Sequence, residues 1–478
     1  MLEKIIPIIK YIFFNFEFFL IITLAIVWFI LRKKPTGFLN KKIISLGDFI
    51  YKFFIKLSET KPLKLLLLFF ILNFIIRLLM ASVVPDISLD KLSPHYLNLA
   101  KSLYLGEGFT TKVIWLNFLQ DPQIIRPDFF RMPFYPILIA LAYKIFGVSY
   151  LAAQLVNVIA GSLLPIIAYL FAYVLTKSKK VSTLLLIFIS FNTLILSWVA
   201  IAWPEIVYCC LAIFLLYCLY LTKEKNKTYP LLTGVLLALT YLTRSEALYI
   251  FLPVILLSYF YQQNKRKFLI KLSLTVLGFL IIATPYLARN YILTGKPFYT
   301  EFDKILLVSY VGDGYLVESP SSEYKNVYDL FFQQPIQTSI SMAKILFNSL
   351  ISLPKYVIGS YLISILTLMG MWLALKKEWS KYLFLFLAML LGFILPGVII
   401  FTDRYFIILI VLFYLFVCLG VTKLYDNLAK DKLLQAMLII YLSLFIAVGA
   451  LVGIGKGTLP YIPHSFYKRF NADQYFTD

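Results

Sequence analysis

The sequence predicts an all-α polytopic membrane protein, with about twelve transmembrane helices and interfacial helices in a large first outer loop. Three observations carry that expectation. Hydrophobic residues make up 61% of the 478-residue chain and charged residues 14%, against about 45–50% and about 25% in soluble domains. Apolar runs of roughly 18–25 residues, the length that crosses a bilayer, recur along the chain. Lysines and arginines cluster in the links between those runs, as cytoplasmic loops do.

Taken in order, the runs lie at approximately 10–31, 63–84, 149–176, 182–203, 205–222, 229–243, 246–262, 268–287, 353–375, 381–401, 405–424 and 433–453. Placing every lysine-rich link inside gives one consistent alternation. Residues 32–64, 177–181, 223–228, 263–271, 376–381 and 423–432 are then cytoplasmic. The first run has no small-residue cleavage site after it and reads as a retained helix rather than a signal peptide. The expected organisation is an extra N-terminal span with a cytoplasmic interfacial segment (1–62), a transmembrane core (63–453) and a short outer tail (454–478). The expected location is the inner (plasma) membrane, with the site facing the periplasm or exterior.

The formal charge of +21 does not point to nucleic acid, because the cations occupy topology positions: RKK at 32–34, KSKK at 177–180, KEKNK at 223–227, KRK at 265–267. All four cysteines (Cys209, Cys210, Cys218, Cys418) fall inside apolar runs, without zinc-ligand spacing. With only His95 and His464 in the chain, a histidine-based metal centre is not expected.

Two outer loops are long, 85–148 and 288–352, and loops of that length usually do more than connect. Each contains apolar-periodic pieces too short to span, at 94–105, 135–146 and about 338–351. Ser93 as N-cap, Pro94 at the first helical position and Gly106 as stop mark a short helix in DISLDKLSPHYLNLAKSLYLGEGF (86–109). On the inner side, 35–60 mixes aromatics and lysines and reads as a lipid-surface helix. A helical bundle under such a cap encloses an amphipathic cavity at the membrane surface, suited to a ligand that is part lipid and part polar.

Polar groups recur at the outer ends of the spans. Asn73 and Arg77 lie one turn apart in the second span. Trp203-Pro204-Glu205, Thr243-Arg244-Ser245-Glu246, the Pro285–Tyr291 stretch with Arg289, and Thr402-Asp403-Arg404-Tyr405 occupy span boundaries. Taken singly, each arginine is as well explained by snorkelling and pairing with a nearby acid. Taken together, they supply guanidinium groups for phosphate oxygens and carboxylates to hold a metal or accept a proton.

RMPFYP at 131–136, followed by ILIALAYKIFG, resembles the proline-rich block of GT-C-type membrane glycosyltransferases. The related group is that of the protein O-mannosyltransferases and the lipid A aminoarabinose transferase. The further blocks PHYLNLAKSLYLGEGF, WPE, LTRSEAL, PYLARNY and DRY follow in the family's order, over about residues 63–425. The family's C-terminal soluble domains have no counterpart here, and the first span is an addition before its usual start. The resemblance implies an inverting transfer of a sugar from a polyprenyl-phosphate donor to a protein, glycan or lipid acceptor on the outer face. It implies Tyr96, Arg131, Glu205, Arg244, Glu246, Arg289, Arg404 and Tyr405 as substrate-binding residues. A divalent metal (Mg or Mn), used by some relatives, would fall to Glu205 or Asp90.

The catalytic base departs from the family. Where the family reads D-S-P-x-Y, this chain reads Leu92-Ser93-Pro94-His95-Tyr96. Asp90 and Asp86 are the catalytic candidates that remain nearby, and two extended residues move a carboxylate roughly 6–7 Å. Three readings stay open: a redrawn loop using Asp90 or Asp86, replacement by Glu205, or a catalytically silent binding protein. An O-antigen-type polymerase or ligase, or a lipid-sugar flippase, is the competing functional class. His95 reads as a packing residue of the surface helix.

Overall fold

The computed structural model describes residues 23, 28–29, 37–84, 93–112, 125–223, 227–261, 265–301, 327–398 and 403–458. Most of the first predicted span (10–31) and nearly all of the outer tail lie outside these residues.

Helix α1 (Phe38–Glu59) occupies the expected surface segment and leaves Phe38, Phe49 and Phe53 exposed. α2 (Pro62–Val83) is the second span. Its residues Leu65, Phe69, Asn73, Arg77 and Met80 form one buried stripe at helical spacing, while Leu63, Leu67, Ile71, Ile75 and Leu79 face outward. The first outer loop builds a cap. α3 (Ser93–Leu105) and α4 (Phe134–Phe146) pack together, joined through a minimal hairpin in which Thr110–Thr111 (β1) pairs antiparallel with Arg126–Pro127 (β2). Both cap helices fall within a residue of the expected positions.

The core follows with α5 (Tyr150–Thr176), α6 (Lys179–Ser190), α7 (Thr193–Val199), α8 (Glu205–Leu221), α9 (Thr228–Tyr241), α10 (Glu246–Phe260) and α11 (Lys265–Thr294). After the second outer loop come α12 (Val327–Gln333), α13 (Pro335–Ser352), a π-helical turn at Leu353–Ile358, α14 (Tyr361–Gly397), a 3₁₀ turn at Asp403–Phe406, α15 (Ile407–Asn427) and α16 (Lys432–Thr458). Their apolar faces merge into one core, with α15 buried at its centre.

Two expected spans differ in detail. The run at 182–203 is a broken pair, α6 and α7, bent by 46°. Asn192 causes the break by capping α7: its Oδ1 accepts from the N–H groups of Leu194 and Ile195 at 3.0 and 3.1 Å. Arg77 covers the other side. Its Nη2 donates to the Ser190 carbonyl at 3.2 Å, satisfying a helix-end acceptor that lipid cannot. The runs at 353–375 and 381–401 fall largely within α14, which is interrupted at Glu378, whose φ of −149° and ψ of 54° are non-helical. Among the described residues, six helices are long and apolar enough to cross a bilayer, or seven if the bent pair is one span. Four shorter apolar helices, α4, α8, α9 and α10, sit among them, and the last three occupy expected spans.

Glycines set the tightest crossings. A Cβ on Gly234 of α9 would lie 1.9 Å from the Thr275 carbonyl oxygen, and one on Gly278 of α11 would lie 2.2 Å from that of Leu231. Gly370 of α14 and Gly420 of α15 make the same exchange, with the Phe416 oxygen 1.8 Å from a Gly370 Cβ. Small residues at these points let the backbones touch, which replaces the missing hydrophobic drive between helices in lipid. Gly370→Ala is therefore expected to lower the thermal unfolding midpoint in detergent, at a cost of about 1–3 kcal/mol. Gly392→Ala, whose nearest obstacle is the Leu409 Cδ2 methyl at 3.2 Å, is expected to melt close to the parent.

Candidate active site at the capped end of the bundle

The site is assembled where the cap meets three span-linking turns. The first turn, residues 200–204, is buried irregular backbone, and α5 satisfies it with two side chains one turn apart. Gln154 Nε2 donates to the Ala200 carbonyl at 2.6 Å, and Asn157 Nδ2 donates to those of Ile201 and Trp203 at 2.5 and 2.9 Å. The turn then delivers Glu205 into the first turn of α8, where the helix dipole favours a carboxylate.

Glu205 is 5% exposed and organises the cations around it. Its Oε1 accepts from Arg244 Nη1 at 2.8 Å and lies 3.9 Å from Arg404 Nη1. Arg244 also pairs through Nε with Glu246, the first residue of α10. Arg404, in the 3₁₀ turn before α15, stacks 3.9 Å from the Trp203 ring centroid and donates from Nη2 to the Tyr405 hydroxyl at 3.0 Å. Both guanidiniums lie 4.7 Å from the Tyr405 ring.

The cap supplies the facing wall. Arg131 lies over the Tyr96 ring at 4.7 Å and donates to its hydroxyl at 3.3 Å. Burial raises the Tyr96 phenol above its ordinary value, so it stays protonated, and the charges of Arg131, Glu205, Arg244 and Arg404 all bear on it. Seven predicted residues, Tyr96, Arg131, Glu205, Arg244, Glu246, Arg404 and Tyr405, are thus brought together. Arg289 stands apart. It donates to the carbonyls of Phe109 and Asp128 at 3.0 and 3.1 Å and stacks on Phe129 at 4.9 Å, holding the cap hairpin to the end of α11. Asp86 and Asp90 lie outside the described residues.

Sequence reasoning missed one device. His95 is not a surface packing residue: it is 1% exposed, and its Nε2 lies 2.6 Å from Asp128 Oδ2. Arg131 Nε donates to His95 Nδ1 at 3.4 Å, which assigns the proton to Nε2 and makes that nitrogen the donor to Asp128. Asp128 Oδ1 in turn accepts from the backbone N–H groups of Phe130 and Arg131 at 3.1 and 2.7 Å. Burial pulls the imidazole below its ordinary pKa against the opposing pull of Asp128. Burial alone would raise the Asp128 carboxyl, but His95 and the Arg131 N–H outweigh it and leave it below the ordinary carboxylate range. At neutral pH the pair is a neutral imidazole on an ionised carboxylate. The D-x-x-R spacing at 128–131 was the only local hint, an Asx-type turn.

Several buried polar atoms at this end have no hydrogen-bond partner among the described residues: Glu205 Oε2, Tyr135 Oη and Tyr208 Oη. They are the groups a ligand would satisfy. Of the two residues expected to hold a divalent metal, Glu205 is described and Asp90 lies outside the described residues. Glu205 offers one uncommitted oxygen, and no cluster of three His, Cys, Asp or Glu side chains exists among the described residues.

Residues 127–288 match the family model described as dolichyl-phosphate-mannose-protein mannosyltransferase. That segment contains Arg131, Glu205, Arg244 and Glu246. No curated protein sequence matches the chain. The chain is similar to the oligosaccharyltransferase of Archaeoglobus fulgidus tethered to an acceptor peptide containing the NVT sequon, with TM-score 0.55 and 13% identity, over 83% of this chain and 55% of that one. The same organism's oligosaccharyltransferase AglB, in complex with an inhibitory peptide and a dolichol-phosphate, gives 0.55 and 12%, over 82% and 56%. ArnT from Cupriavidus metallidurans bound to undecaprenyl phosphate gives 0.50 and 10%, over 82% and 78%. The chain therefore spans little more than half the length of the oligosaccharyltransferase. Its described helices share the polytopic helical fold of these GT-C structures.

Proposed function

We propose that the protein transfers a sugar from a polyprenyl-phosphate donor to an acceptor at the capped end of the bundle, with inversion. The observation that carries this reading is the gathering of Arg244 and Arg404 at one buried carboxylate, Glu205, with Arg131 on the Tyr96 hydroxyl, whose surroundings all four charges share, beneath an amphipathic cap. A phosphate that gains charge as it leaves needs preorganised cations in a site of low dielectric. The family match and the phosphate-lipid complexes of ArnT and AglB support the same donor class.

The roles divide by how each cation is engaged. Arg244 is held between Glu205 and Glu246, so it serves as fixed background charge. Arg404 is 3.9 Å from Glu205 Oε1 and stacked on Trp203, which leaves its fork the more available for phosphate oxygens. Arg131, oriented by His95 and Asp128, covers the donor from the cap. The acceptor hydroxyl or amide attacks the anomeric carbon opposite the phosphate. The carbon–oxygen bond to phosphate breaks, its electron pair leaves with the phosphate, and the acceptor proton passes to a carboxylate. For that proton Asp90 is the first choice and Asp86 the second, both preceding Tyr96 in sequence. No step is routed through a metal.

Sugar transfer from a purified polyprenyl-phosphate sugar should fall by roughly 10²–10³ in Arg404→Ala, the usual loss for one charge-stabilising donor. Asp90→Asn should abolish transfer while donor binding persists. Full turnover in both variants would refute the site.

The His95–Asp128 pair predicts a pH dependence of stability. As pH falls through about 6.5, the ordinary histidine value, the unfolded chain takes up a proton that folded His95 refuses, so stability drops. Asp128 adds to the loss at lower pH, because its stabilisation is present above the ordinary carboxylate range and disappears on acidification. The melting temperature should decline from pH 7 to pH 5 and that decline should flatten in His95→Gln. Arg131, losing its support, should then show a higher donor KM with a smaller change in kcat.

A further inference from the structure

At the opposite end of α15 from Arg404, about 30 Å away along a 21-residue helix at 1.5 Å per residue, lies a cavity of about 1160 Å³. Its walls come from α1, the end of α5, α6, the break in α14, the end of α15 and the middle of α16. The deeper surface is apolar, with Phe54, Leu184, Leu438 and Ile446 among its residues. Around it stand Lys180, Lys376, Lys377, Lys381 and Lys423 against only Glu378 and Asp426. Five cations less two anions leaves a surplus of three.

The cavity is built into the packing. α1 closes one side of it, held by Gly47, whose missing side chain lets Ala436 of α16 approach, and by Tyr51 stacked at 4.5 Å on Tyr425. The non-helical Glu378 interrupts α14 at the level of the cavity and pairs with Lys381 at 2.7 Å. Lys179 and Lys180 occupy the first turn of α6 with no acid there, an arrangement that the helix dipole disfavours unless an anion is near.

We propose that this cavity is a binding site for an anionic membrane phospholipid, with the phosphate headgroup at the lysines and the acyl chains along the apolar floor. The lysine distribution puts this end in the leaflet where anionic lipids collect, and basic pockets between membrane helices suit such headgroups. The site is independent of the sugar-transfer reading, being at the other end of the bundle, and it bears on how α1 and the break in α14 are held.

The test uses the purified full-length protein in detergent, titrated with dioleoyl phosphatidylglycerol or dioleoyl phosphatidylcholine and read by native mass spectrometry. One phosphatidylglycerol should be retained at about tenfold lower concentration than phosphatidylcholine. That preference should disappear in the triple variant Lys180→Gln/Lys376→Gln/Lys377→Gln, which alters exposed side chains only, and weaken in Ala447→Trp, which adds bulk to the cavity wall and keeps the lysines. Equal retention of the two lipids, or a preference that survives in both variants, would overturn the proposal. Tighter retention of undecaprenyl phosphate than of phosphatidylglycerol, removed by Ala447→Trp, would overturn the phospholipid assignment. Because the readout is lipid mass and not transfer, failure here leaves the donor-site reading untouched.

Discussion

Irregular backbone buried in a helical membrane bundle must find its hydrogen bonds inside the protein, and the turn at 200–204 is where this fold meets that demand. Gln154 and Asn157 reach from α5 to three of its carbonyls. The same demand recurs one helix earlier, where Asn192 caps α7 and Arg77 covers the carbonyl end of α6. Arg77 itself is fully buried, and Gly161 leaves the room for it, since a Cβ there would lie 3.1 Å from its Nε. Without these side chains the chain between α6 and α8 has no reason to bend, and Glu205 has no fixed place.

From Glu205 the electrostatics of the capped end follow. The two carboxylates are shared unequally: Arg244 is paired with both Glu205 and Glu246, while Arg404 lies 3.9 Å from Glu205. Aromatic rings hold what the carboxylates do not, with Trp203 and Tyr405 under Arg404 and Tyr96 under Arg131. A stacked guanidinium keeps its fork in plane and exposed at the edge, which suits bidentate recognition of an anion better than a lysine would. The lysine-rich end follows a different plan, since its cations surround a wide apolar cavity.

Much of the architecture was legible in one dimension because the bilayer imposes one-dimensional rules. Spans such as 63–84 and 149–176, and cap helices at 94–105 and 135–146, appear within a few residues of expectation. Apolar length, Ser-Pro starts and glycine stops are local signals, and no tertiary information is needed to read them. Where expectation and structure part, a local break was hidden in an apolar run. Asn192 inside 182–203 is a single polar residue, and it reads as a cap only once Leu194 and Ile195 are seen to donate to it. Glu378 lies between two runs that read as separate spans, and its non-helical backbone divides α14 there into two helices, as expected.

The site divides along the same line. Composition and the ordered blocks determined by themselves that arginines and carboxylates gather at one end of the bundle, because each sits at a span boundary and boundaries alternate between faces. They also singled out Glu205, Arg244 and Arg404. Only the tertiary structure decided which cation is paired and which is less engaged, that Arg289 braces the hairpin, and that His95 belongs to Asp128, 33 positions further along the sequence. Those are matters of a few ångströms between residues distant in the chain. Apolarity accumulates along a sequence and can be counted there, whereas a hydrogen bond exists only once folding has brought its two ends together.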